Sequence, residues 1–130
     1  MVMRVVRLGS PRAEGEGTRI GTVRRPPRGV PRAEFAARNY YDVWLPNLAP
    51  SPETMKLGQA AATPAQWAAF VKQYRAELGT PEASHVLELL ATLSRQSDFS
   101  VGCYCEDEAH CHRSVLRTLL LEKGARLAES

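Results

Sequence analysis

All three cysteines and two of the three histidines of this chain fall within one short stretch, Val101-Gly-Cys-Tyr-Cys-Glu-Asp-Glu-Ala-His-Cys-His-Arg-Ser114. Side chains of these types can ligate a metal, carry redox chemistry or hold an anion. For metal, zinc favours Cys and His at short separations. The spacing here is not that of two CxxC-like knuckles, so no metal ligand and no cofactor is assigned from it. For an anion, a loop that leaves a strand and opens a helix presents free backbone N–H groups and the positive end of the helix dipole. His112, Arg113 and Ser114 sit at that opening, and a guanidinium suits a phosphate or carboxylate bidentately. The spacing is neither that of a tyrosine-phosphatase loop nor that of a glycine-rich phosphate loop. For thiol chemistry, Cys111 lies between His110 and His112 beside a helix N-terminus, a setting that lowers a thiol pKa. It is then a candidate nucleophile or redox sensor, with Cys105 as resolving partner. The competing reading for each cysteine is a small buried filler.

The rest of the chain must position that stretch. Its 130 residues suit one domain with a real core. An apolar fraction of 44% and a charged fraction of 24% are ordinary for a globular protein. No run approaches the roughly 20 apolar residues of a membrane span, and the N-terminal residues do not read as a signal peptide. A cytoplasmic protein with reduced thiols and no membrane association is expected. An odd, clustered set of cysteines argues against a disulfide framework.

Charge is uneven. The first 40 residues hold nine arginines, no lysine and only three acids, Glu14, Glu16 and Glu34, while the whole chain carries +3. The remainder is therefore net acidic. An arginine-rich first part suits an anionic ligand or nucleic acid; a solvated basic face is the plainer alternative. The acidic run Glu106-Asp107-Glu108 is expected to face solvent or to pair with the arginine-rich loop.

Strands are expected at 2–8, 18–23, 40–45 and 99–104. The stretch 9–17 is turn-rich, and Arg25-Pro-Pro-Arg-Gly-Val-Pro31 cannot be regular structure because proline fixes φ and removes a donor. One or two helical turns are expected at 33–38, and a short helix or turn at 53–59. Thr63-Pro64-Ala65-Gln66 carries an N-cap, a first-turn proline and the glutamine of a capping box. Trp67, Phe70, Val71, Tyr74 and Leu78 then share a face at helical spacing, and Gly79 marks the stop. Thr80-Pro81 opens a second helix with Val86, Leu87, Leu89, Leu90 and Leu93 apolar. Val115, Leu116, Leu119 and Leu120 make a third, ending near Gly124, and 125–128 forms a short strand or frays. His85 reads as structural or surface. Tyr40, Tyr41 and Trp44 read as packing. Helices alternating with strands in the second half argue an α/β fold, one compact domain with a mostly parallel central sheet and packed helices.

Several fragments occur in the order of a known family. They are Arg24 to Gly29, Asp42-Val-Trp44, Leu48-Ala-Pro-Ser51, Trp67-x-x-Phe70-x-x-x-Tyr74-x-x-Glu77-Leu78 and His110-Cys-His-Arg-Ser-Val-Leu116. Together they resemble the YeaO-like branch of the domain-of-unknown-function 488 family across nearly the whole chain. The chain departs from that branch at Val23 and Pro26, where relatives carry Asp and Trp; Arg24, Pro27, Arg28 and Gly29 are kept. The resemblance implies a compact α/β domain and no settled activity.

Ligands of parallel sheets bind beyond the carboxyl ends of the strands. The expected site is a small phosphate- or nucleotide-type anion pocket there. It has Cys111 and His112 as catalytic candidates and Cys105, His110, Arg113 and Ser114 as ligand-binding ones. Arg24 and Arg28 join if the Pro-rich loop reaches the same edge. Two alternatives are carried: a nucleic-acid-binding module through the arginine-rich first part, and a metal- or thiol-dependent protein using the Cys/His cluster. Ligand identity, enzymatic status and oligomeric state are left open by the sequence.

Overall fold

The computed structural model describes residues 1–105 and 107–128. They form the expected single α/β arrangement, in the order β1 (Met3–Arg7), β2 (Thr18–Gly21), β3 (Val43–Trp44), α1 (Pro52–Ala60), α2 (Pro64–Leu78), α3 (Pro81–Leu93), β4 (Phe99–Cys103) and α4 (His112–Glu122). The sheet runs β1-β4-β2-β3 and every pairing is parallel. All four strands therefore end at one edge. The segments that follow them, beginning at Leu8, Thr22, Leu45 and Tyr104, meet there.

Alternation along β4 assigns the two faces of the sheet. Phe99 and Val101 join Met3 of β1 in the main core, with Phe70, Tyr74, Leu78, Leu87, Leu90, Val115, Leu116 and Leu120 of the helices. Cys103 continues that face into a second cluster with Leu8, Val23, Tyr41 and Cys111. Ser100 and Gly102 point the other way. The glycine-rich connection 8–17 lies opposite them, with Glu16 on Ser100 and Leu8 by Gly102. At Gly17 it runs so close that a Cβ would lie 2.0 Å from the Asp98 carbonyl oxygen, with φ at +79°. Only glycine fits both the contact and the left-handed backbone.

Under this connection is a polar core that the sequence reading did not foresee. Arg19 is fully buried and donates from Nε and Nη2 to the Glu16 carboxylate at 2.8 and 3.0 Å, and from Nη1 to the carbonyls of Ser10 and Asn39. Ser100 Oγ donates to the same carboxylate at 2.7 Å. Arginine and glutamate are rarely this buried unless paired, and here the pair takes the place of a hydrophobic layer. Burial alone would raise the Glu16 pKa. Hydrogen bonds from Arg19, Ser100 and the Ala13 N–H, with the Arg19 charge, instead hold it at about 2.

The helical half follows its sequence signals. The Thr63 hydroxyl accepts from the Gln66 N–H while the Gln66 side chain accepts from the Thr63 N–H, completing the capping box. Phe70, Tyr74 and Leu78 are buried by α2, with Trp67 and Val71 packed partly against the core. Thr63→Ala is expected to cost about 1 kcal/mol by leaving a first-turn N–H without its cap; urea unfolding midpoints compare the two proteins.

Three details differ from expectation. The strand expected at 40–45 shrinks to Val43–Trp44, because Tyr41 turns into the second cluster and Leu45 already leads into a 3-10 turn. The helical turns expected at 33–38 reduce to a 3-10 turn at Arg32–Glu34. Leu89 is 58% exposed, so the apolar face of α3 is narrower than its composition suggests. The 125–128 segment touches the sheet edge through one isolated parallel bridge, with Met3 N donating to Arg126 O and Ala128 N to Met3 O.

Candidate functional site

The strand–loop–helix of residues 99–122 brings the chemically able side chains together at the carboxyl edge. β4 ends at Cys103 and α4 begins at His112, with Cys111 in extended conformation as its N-cap. Alternation places Cys103 on the helix-facing side of the sheet, under the first turn of α4. As a result Cys103 Sγ, Cys111 Sγ and a ring nitrogen of His112 lie within 4.8 Å of one another, and all three residues are buried.

The tautomer of His112 follows from its partners. Nε2 lies 2.8 Å from the carbonyl oxygen of Thr22. A carbonyl only accepts, so Nε2 carries the proton. In the neutral ring Nδ1 then holds the lone pair, and it faces Cys111 Sγ at 3.9 Å. The ring packs T-shaped against Tyr74, centroids 5.7 Å apart at 84°. The imidazole is therefore fixed by a strand end on one side and a helix on the other.

Cys105 is exposed, and its thiol interacts electrostatically with those of Cys103 and Cys111. Hydrogen bonding with Cys103 and then Cys111, together with the Arg113 charge, lowers its pKa. The reciprocal hydrogen bonds and burial raise that of Cys103. Arg113 is 4% exposed. Its Nη2 donates to the Cys105 carbonyl at 2.6 Å, while Nε is buried with no partner. Among the described residues no carboxylate forms a salt bridge with it. The Tyr41 hydroxyl, in the same cluster as Cys103 and Cys111, is also buried without a partner.

Other expected site residues are placed differently. His110 is 75% exposed at its side chain and bonds Asp107 through Nδ1 at 2.8 Å, with its ring edge-on to Trp67. It belongs to the rim. Ser114 donates back to the Cys111 carbonyl. Arg24 donates from Nε and Nη2 to the carbonyls of Ala49 and Pro50. It joins the loop after β2 to that after β3. Arg28 is exposed on the Pro-rich loop. That loop does reach the same edge, since Tyr104 Oη donates to the Arg25 carbonyl at 2.9 Å. Two residues of the acidic run pair elsewhere: Glu108 binds Arg117 of α4 at 2.7 Å and Asp107 binds His110. Glu106 lies outside the described residues. An open groove of about 240 Å³ between α2 and α4 is lined by Trp67, Val71, Arg75, Ser114, Val115 and Thr118; it passes the first turn of α4 on the side away from the thiols.

Two contributors escaped the sequence reading: the Thr22 carbonyl and the Tyr41 hydroxyl carry no sequence signal for their roles. Cys103 lay in the stretch singled out from the start but was not among the residues assigned to the site.

A family model described as "DUF488-N3a: Active DUF488-N3 subclade" matches residues 3–124. No curated protein and no solved structure matches. Among the described residues no helix is long and apolar enough to cross a membrane.

Proposed function

This chain belongs to the DUF488 family, and we propose that it binds a small phosphate- or nucleotide-type anion where the β4–α4 loop meets the N-terminus of α4. Within the family, the motifs at 24–29, 42–44 and 110–116 support the YeaO-like branch. The observation that carries the anion reading is Arg113. Its Nε is buried without a hydrogen-bond partner, its Nη2 meets the Cys105 carbonyl, and no carboxylate among the described residues forms a salt bridge with it; the thiols of Cys103, Cys105 and Cys111 and the Glu108 charge lie near it, and a bound anion would add the partner that Nε lacks. The helix N-terminus beside it adds partial positive charge of the same sense. Cys105, Cys111 and His112 border the place where that charge would sit, and three unpaired thiols there suit a reducing, cytoplasmic setting. Arg24 takes no part, since the loop carbonyls engage its guanidinium; Arg28 stands at the rim.

The nucleic-acid reading loses support from the same geometry. Arg19 is buried on Glu16, Arg12 is held by Asp42 at 2.9 Å, and the exposed Arg24 spends its guanidinium on the carbonyls of Ala49 and Pro50, which leaves Arg25, Arg28, Arg32 and Arg38 as the exposed arginines around the Pro-rich loop.

Calorimetric titration with inorganic phosphate and with AMP tests the proposal. Saturable binding is expected, and Arg113→Met should weaken it by at least about tenfold, the loss of a charge-assisted hydrogen-bonded pair. Equal binding by a folded Arg113→Met protein overturns the anion site. A steep fall of affinity with salt, accompanied by binding to duplex or single-stranded oligonucleotides, would transfer the reading to nucleic acid.

A further inference from the structure

We infer that Cys103, Cys111 and His112 form a three-ligand site for a zinc-type divalent cation, with its fourth position open toward Cys105 and Arg113. This goes beyond the anion reading and does not depend on it.

Four observations support the site. First, the ligand atoms fit the ion. Zinc binds sulfur at about 2.3 Å and nitrogen at about 2.0 Å, so tetrahedral ligands sit roughly 3.5–3.8 Å apart. The three atoms here lie within 4.8 Å of one another, and the Cys111 Sγ to His112 Nδ1 distance is 3.9 Å. A contraction of at most about 1.3 Å closes the set. Second, His112 has the arrangement of a metal ligand. Its Nε2–H is anchored on the Thr22 carbonyl, which fixes the tautomer and aims the Nδ1 lone pair at the thiols. Third, burial disfavours the alternatives. Cys103 is 1% exposed and Cys111 2%; an attacking thiol has to reach its substrate, whereas a ligand need only reach the ion. Fourth, two thiolates cancel the charge of a divalent cation. The buried centre is then neutral, and Arg113 keeps its unmet demand for an anion.

The spacing argument that weighed against metal in the linear sequence does not apply to this set. Familiar zinc knuckles draw ligand pairs from one turn. Here one ligand comes from a strand end and two from a helix start, and it is the sheet that brings them together. Three protein ligands and an open fourth position are the arrangement of a catalytic rather than a purely structural ion. Cys111 and His112 then act as ligands, and the roles of nucleophile and proton carrier fall away from them. The anion, Cys105 or a water would occupy the fourth position.

The test uses the intact wild-type chain and cobalt(II) alone, in phosphate-free buffer under reducing conditions without a chelating thiol. The expected result is one equivalent of cobalt, a thiolate-to-cobalt charge-transfer band in the near ultraviolet, and the visible bands of tetrahedral coordination. Zinc should displace the cobalt and abolish both. Cys103→Ser and His112→Gln should each weaken cobalt binding by at least about 100-fold, more than loss of an outer-shell contact. Cys105→Ser should retain the one-equivalent stoichiometry. No charge-transfer band in the folded wild-type protein overturns the site, and so does a band that survives in Cys103→Ser. Because phosphate is absent, this outcome is independent of the anion titration.

Discussion

Replacing Arg19 by methionine is expected to destabilise the protein by about 3–5 kcal/mol, the cost of breaking one side of a buried ion pair. The reason lies in what remains. Glu16 is 3% exposed, and without Arg19 its carboxylate keeps only Ser100 Oγ and the Ala13 N–H. The carbonyls of Ser10 and Asn39 lose their donor as well, so the connection over the rear face of the sheet comes loose from two anchors. Urea unfolding at neutral pH reads the effect, and a loss below about 1 kcal/mol would contradict it. Adding Glu16→Gln to Arg19→Met should recover part of the loss, because a neutral amide is cheaper to bury than an unpaired carboxylate.

The same pair gives acid stability a definite shape. Glu16 titrates at about 2 in the fold against 4.5 for the ordinary carboxyl. A depressed native pKa means that the unfolded chain takes up its proton first as pH falls. The contribution is complete above about pH 4.5, declines as pH falls below that value, and is gone beneath about pH 2. Its full size is on the order of 3 kcal/mol. Unfolding free energies measured between pH 2 and 6 should slope in wild type, and the Glu16→Gln variant should lose that part of the slope. Equal slopes would contradict the role given to this carboxylate.

Gly102→Ala is the second large effect expected. A Cβ at this position would lie 2.5 Å from the Val6 carbonyl oxygen and 3.0 Å from the Leu8 side chain. The backbone atom cannot step aside without moving β1, and β1 is bound along its whole length to β4. Overpacking of this kind typically costs 1–3 kcal/mol, and a backbone obstacle places it at about 3 kcal/mol or above. Gly15→Ala is the control. Nothing lies within 4 Å of its added Cβ, so only the left-handed φ of +72° opposes it. About 1 kcal/mol is expected there. Chemical denaturation separates the two, and similar losses would contradict the steric account. Because Gly102 precedes Cys103, its variant should also disturb cobalt binding, whereas Gly15→Ala should leave it intact.

The helical half was legible because each signal there is local. A cap, a first-turn proline and a stripe of Trp67, Phe70, Tyr74 and Leu78 act within one element, and the fold keeps them. β4 was legible for a similar reason, as a short apolar run between polar turns. The first half was harder. Arginine reads as surface, so Arg19 passed for part of a basic face, when its partners are a glutamate three residues away and two distant carbonyls. Arg24 was placed on the correct loop, but composition cannot say whether a guanidinium meets a ligand or the protein's own carbonyls. The candidate site was picked out by residue type. Its geometry was not legible, because Cys103 and His112 are brought together by a strand end, a helix start and a third segment's carbonyl. Linear spacing reports none of these.

The position of β4 also sets a schedule. β1 and β2 share no ladder, and each is paired to β4, so Met3 and Thr18 both wait for Phe99. A ribosome delivers those strands in the order one, two, three, four, and the central one comes last. Until it emerges, β1 has no partner in the sheet and the rear connection has nothing to cover. Pairings so distant in sequence form slowly, and unpaired strand edges are aggregation-prone while they wait. The pairing of β1 to β2 through β4, and the Cys–His cluster at the end of β4, are thus completed only once β4 has emerged.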